Sequence, residues 1–396
     1  MKKTVSLTLI LCLIFLFVSY FGNNGWTAEA ADEEGWQEVA REYYQGNYET
    51  ARELAKENTG DNIISFGDYK LYEYLVKTEL NLLNMDSAEA LIAFLEEQGY
   101  YSGELYWKLG RFYLNRDGQF DSALFDEARD YLQKARDYGF YGLQQQRDLS
   151  LAYMGLEKYE QVIEILEALT ESAPEAGDYL TLGRAYKNTQ RLEEAVEAYK
   201  QVLEEEAGNA GVFLELGELY TELGEQRQAL LVYEWGLNRN PDNIALKQAT
   251  AGQKLAGGQL DEAEEIYLEI IDSHPHFYKV HYNLGRVYEQ KELLLEAIKS
   301  YRNAIGYNKK YMAPRLALSE LFIEMEDYDQ AQFYLEEVID IAPGSATAYY
   351  LRGQVHYLQD EYEQALEDIR SALHRNPALE KAAELKELLL EKMEDD

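Results

Sequence analysis

The chain has 396 residues, 46% of them hydrophobic, with 73 acidic residues against 37 basic ones and a formal net charge of −36. That length exceeds one compact core and leaves either several ordinary domains or one repeat array. The charge repels phosphate backbones and anionic lipid surfaces, which argues against a nucleic-acid partner.

Residues 1–30 begin with Lys2 and Lys3, continue with the apolar run Val5–Phe21 and end at Ala28-Glu29-Ala30. This order is that of a secretory signal peptide cut after Ala30, which places the protein outside the cytoplasmic membrane: secreted, periplasmic or at the cell surface. Left uncut, the 17-residue run stands at the short end of a membrane span and would anchor the chain. Cys12, inside this run, is the single cysteine, so the chain beyond it has no disulfide, thiolate metal site or cysteine nucleophile.

From residue 31 the chain reads as paired helices. Trp36–Ala55 makes one pair and Leu71–Gly99 a less regular one, within a divergent segment 31–102. In 103–142, Tyr106, Leu109, Gly110 and Tyr113 share a helix face, and Ala128, Leu132 and Ala135 share a second. Six extra residues fall in the turn between them, around Asn115–Ser122.

A phrase then repeats every 34 residues or a multiple of 34: Leu182-Gly183 with Tyr186, Leu216-Gly217 with Tyr220, Leu284-Gly285 with Tyr288. It sets out seven units, 143–175, 176–209, 210–243, 244–277, 278–311, 312–345 and 346–379. With the glycine numbered 8, positions 4, 7, 8 and 11 follow the i, i+3, i+4, i+7 spacing of one helix face, and Ala at 20 and an aromatic at 24 mark a second helix. Small residues at 8 and 20 let the two helices close on each other. Five of the six prolines, Pro174, Pro241, Pro275, Pro343 and Pro377, stand at position 32, where proline ends the second helix. Unit 244–277 lacks the first-helix phrase but keeps Ala263, Tyr267 and Pro275. Segment 380–396 supplies a lone capping helix, Glu380–Met393, and an acidic tail.

This pattern resembles the tetratricopeptide repeat, and the longer unit 103–142 resembles the related Sel1-like repeat. The resemblance implies an all-α fold: a right-handed α-solenoid superhelix of stacked helix-turn-helix repeats, about ten helix pairs in one array, with a C-terminal capping helix. One unit alone buries too little to offset the ordering of its backbone, so neighbours must stack. The resemblance also implies a non-enzymatic scaffold or adaptor that binds protein segments in its concave groove.

In the family, first-helix positions such as 2, 5, 9 and 12 line that groove. Carried onto this chain, they point to Trp107, Arg111, Arg147, Arg184, Lys187, Lys279, Tyr282, Arg286, Tyr350 and Tyr357. The cations suit carboxylates, arginine through its planar fork, so the expected partner is a protein or peptide with acidic character. The same cations also read as partners of neighbouring glutamates. The tyrosines and Trp107 suit sugar faces, and the alternative is a glycan-binding accessory of cell-wall or exopolysaccharide machinery. The Lys/Asn/Asn/Lys/Arg clamp that some family members use for a C-terminal carboxylate does not fit, because Lys279 and Asn283 fall in one unit without the other members.

Catalytic signatures are missing: there is no G-x-x-x-x-G-K-[ST], H-E-x-x-H or G-x-S-x-G. No catalytic residue, cofactor or metal site is expected. His274, His276 and His281 cluster without a metal-ligand spacing and read as parts of an inter-repeat turn and of aromatic position 4.

Overall fold

A computed structural model describes residues 33–59, 66–115 and 122–395. The expected signal peptide lies outside these residues, as does most of the long turn expected around Asn115–Ser122. The described residues form 21 helices and no strand. They run as ten consecutive pairs and one last helix, from Glu33–Tyr44 with Tyr48–Asn58 to Tyr362–Arg375 with Glu380–Asp395 behind it.

Two compact units divide between Arg191 and Leu192. Within each, nearly every helix packs on the one before it, and the first helices of most successive pairs also meet, which is the contact pattern of a solenoid. In the first unit one core cluster runs from Tyr72 through Leu95, Tyr106 and Leu132 to Ala152. In the second unit the core comes in successive portions, around Tyr267, around Tyr301 and around Ile369. The last portion is closed by Ala382, Leu385 and Leu389 of the final helix, which thereby caps the stack.

The glycine at position 8 is held to its size by the residue at 24. A Cβ on Gly217 would stand 2.2 Å from the Tyr233 ring, one on Gly285 2.5 Å from the Tyr301 ring, and one on Gly353 2.9 Å from Ile369. The alanines at position 20, such as Ala229, Ala297 and Ala365, are wholly buried beside this crossing. Second helices end at Ser172, Arg239, Ser273, Ile341 and Arg375, each two residues ahead of its proline.

The turn between the two helices of a unit has its own signature. Position 15 is left-handed in all seven units, at Glu157, Gln190, Gly224, Gly258, Glu292, Glu326 and Asp360, with φ between 56° and 77°. In unit 278–311, Leu293 N–H donates to Tyr288 O at 2.8 Å and Glu292 N–H to Glu289 O at 2.9 Å, a Schellman closure. Only two of the seven residues are glycine, so the sequence pattern did not expose this constraint.

The crossing contact is testable. Gly285→Ala should destabilise the protein by about 1–3 kcal/mol in urea unfolding, because the Tyr301 ring must shift. Gly306→Ala, whose Cβ would meet nothing within 4 Å, should leave stability unchanged or slightly raised.

Candidate functional site

In unit 278–311 the first helix, Tyr278–Gln290, presents Lys279, Tyr282 and Arg286 along one side, with Lys279 and Arg286 exposed and Tyr282 half-buried. Tyr282 meets the Tyr301 ring at 5.7 Å and the Tyr311 ring at 5.5 Å, and Tyr278 meets Tyr311 at 5.0 Å. Tyr301 donates its hydroxyl hydrogen to Glu289; burial and that carboxylate push the phenol up, so it stays a donor. Burial also raises Tyr267 and Tyr311, and in both the Arg286 charge opposes the rise. The guanidinium therefore sits among phenols, and among the described residues it has no carboxylate in ion-pair range.

The next two first helices continue this side. Burial and the neighbouring Glu289 raise the Glu320 carboxyl, with Lys381 opposing. Burial, then Glu384 and Glu320, raise Tyr350. These couplings place Tyr282, Arg286, Glu289, Glu320 and Tyr350 on one surface of the second unit. Tyr350 packs at the edge of two core portions, and Tyr357 lies beside Tyr362 at 5.9 Å.

The residues expected in the first unit divide by what holds them. Trp107 donates Nε1–H to Asp148 Oδ2 at 2.6 Å and stacks on Phe140 at 4.9 Å. Arg111 lies over the Trp107 ring at 5.0 Å, with Nε 3.4 Å from Asp148. Arg147 is committed to a joint between repeats. Its Nε donates to Asp178 Oδ1 at 2.9 Å and its Nη2 to Ala173 O at 2.8 Å, and Nη1 lies 2.7 Å from Glu175. Its side chain is 12% exposed. Arg184 is exposed and Lys187 half-buried, and each engages another group of the chain.

Other cations that repeat position does not single out tie helices together, Lys254 and Lys291 across repeats and Arg315 and Arg352 within one. Lys254 reaches Glu234 and Glu262, both at 2.6 Å; Lys291 reaches Asp261 and Glu264, both at 2.6 Å. Arg315 pairs with Glu337 at 2.8 Å and Arg352 with Asp368 at 2.7 Å. The histidine cluster packs a turn: His281 is buried, its Nε2 lies 2.8 Å from Pro275 O, and its ring stacks on Tyr307 at 5.1 Å. Among the described residues no group of His, Cys, Asp and Glu is arranged to hold a metal ion. Among them, too, no helix is long and apolar enough to cross a membrane.

Two models of the tetratricopeptide repeat match the sequence, one over 253–311 and 316–380 and the other over 189–252. No curated protein matches it. Among solved structures, a tetratricopeptide repeat protein from Parabacteroides merdae is similar, with a TM-score of 0.51 and 20% identity over 63% of this chain and 98% of that one. Yeast Tom70 gives a TM-score of 0.48 and 13% identity over 90% and 95% of the two chains. YrrB, described as a TPR protein with an unusual peptide-binding site, gives 0.38 and 20% identity over 48% and 99%. From residue 189 to residue 380 the chain thus carries tetratricopeptide repeats, the building units of protein-interaction scaffolds.

Proposed function

We propose that this protein is a non-enzymatic scaffold or adaptor that holds a segment of another protein along the first-helix surface of units 278–379. It does so outside the cytoplasmic membrane, on the evidence of the Lys2–Ala30 signal pattern. The observation that carries the reading is Arg286, an exposed guanidinium with no ion-pair partner among the described residues, neighboured by Tyr267, Tyr301 and Tyr311 and followed on the same surface by Glu320. A ligand for such a surface offers a carboxylate or carbonyl to Arg286 and a donor to Glu320. A polypeptide supplies both from backbone and side chains.

Glycan binding is the second reading and would use Tyr282, Tyr350, Tyr357 and Trp107. Neighbouring rings already take part of that stacking surface, Tyr301 and Tyr311 at Tyr282 and Phe140 at Trp107, which leaves less of it for a sugar. The protein reading therefore leads.

Immobilised 31–396 and its Tyr282→Ala/Arg286→Ala/Tyr350→Ala variant should be exposed to a surface extract of the source cells, split into protein and polysaccharide fractions. The expected result is a protein retained by the wild type and lost by the variant. Retention of a polysaccharide instead would carry the second reading, and equal retention by both baits would remove this surface from either. The two kinds of arginine should also separate in urea unfolding. Arg147→Ala leaves Asp178 buried without its cation and should cost about 3 kcal/mol, whereas Arg286→Ala should stay within about 0.5 kcal/mol.

A further inference from the structure

We propose that Lys108 and Arg111, beside Trp107, form a carboxylate-binding subsite in the first unit, which takes a glutamate or aspartate side chain of a bound protein segment. The proposal rests on the reading of the protein as a binder of protein segments, and names one chemical feature of what it binds.

The helix Gly103–Leu114 buries Leu105, Tyr106, Leu109 and Tyr113 and is capped by Ser102, whose hydroxyl accepts from Leu105 N–H at 3.4 Å. Trp107, Lys108 and Arg111 lie within about 100° of one another around its other side. Trp107 is fixed by Phe140 and by Asp148, and Asp148 is itself held by Gln144 at 3.0 Å and is 4% exposed. The ring is thus a rigid backing for Arg111, whose side chain remains 43% exposed. Stacking on an aromatic face leaves the N–H edge of a guanidinium free to take a carboxylate in its plane.

Lys108 lies over the Trp107 ring at 5.8 Å but lacks a close carboxylate. Its nearest carboxylate, Glu104, is 4.0 Å away, and Lys77 already holds that group at 3.0 Å. Lys77 is bound in turn to Glu73, which also accepts from Lys70. Among the described residues neither the Lys108 ammonium nor the Arg111 guanidinium donates a hydrogen bond. Burial holds the Lys108 ammonium below the usual lysine range; Glu104 and Glu73 oppose that, and Lys77 and Arg111 add to it. A carboxylate arriving between Lys108 and Arg111 gives both cations an acceptor.

The test uses 31–396 and two fluorescein-labelled, end-blocked peptides, one alternating glutamate with alanine and the other glutamine with alanine, followed by anisotropy. The glutamate peptide should bind at least about tenfold more tightly than the glutamine peptide. Lys108→Gln should weaken the glutamate peptide by about tenfold without moving the urea midpoint. Lys299→Gln, which removes an exposed charge in the second unit, should leave it unchanged. Equal binding of the two peptides, or equal losses in the two lysine variants, would overturn the subsite. Binding of polygalacturonate or inorganic phosphate without the glutamate peptide would overturn the peptide assignment. A partner captured by the wild-type bait and held undiminished by Lys108→Gln would overturn the subsite while leaving the scaffold reading intact.

Discussion

The contact between position 8 and position 24 is the constraint on which the rest depends. Where the first helix carries glycine, the second helix lays the edge of a tyrosine or an isoleucine into the space a side chain would occupy, as at Gly217 with Tyr233 and Gly285 with Tyr301. The crossing fixes how far apart the helices stand and therefore how each first helix is turned. Because the contact recurs on one period, Tyr282, Glu320 and Tyr350 of successive first helices come to one surface, although 68 residues separate Tyr282 from Tyr350. Tyr301 shows both roles in one residue: its ring fills the space over Gly285, and its hydroxyl donates to Glu289 at the edge of the candidate surface.

Charge forms a second layer on this framework. With 37 basic residues against 73 acidic ones, a cation left without a carboxylate is informative. Arg147, Lys254, Lys291, Arg315 and Arg352 each tie two helices together. Exposed pairs of this sort contribute little apiece, but the half-buried ones are costly to break from one side. Arg286 differs from these five in having phenols as its neighbours, and Lys108 in that its nearest carboxylate, Glu104, is already held by Lys77.

The 34-residue register was legible because helix crossing and helix termination act over a few residues. Gly285 and Ala297 mark the crossing, and Pro275 and Pro343 mark the ends, without reference to anything far away. The left-handed turn was not legible, since Glu157, Glu292 and Glu326 take a conformation that their side chains do not favour and their neighbours impose. The site was legible in part. Repeat position brings Tyr282, Arg286 and Tyr350 forward, but it cannot tell an engaged cation from an open one. That depends on partners such as Asp178, 31 residues beyond Arg147, and Asp368, 16 beyond Arg352. Lys108 was missed for the same reason: its distinction is a carboxylate that Lys77 reaches first.

The most direct test of the central claim, that regular crossings turn the first helices toward a partner protein, is site-specific photocrosslinking. A benzophenone amino acid is placed at Tyr282 in one protein and at Phe333, on an exposed second-helix face, in another. Each is irradiated with surface extract from the source cells. The account predicts a discrete protein adduct from position 282 and none from 333; an adduct from 333 alone, or the same adduct from both, would contradict it.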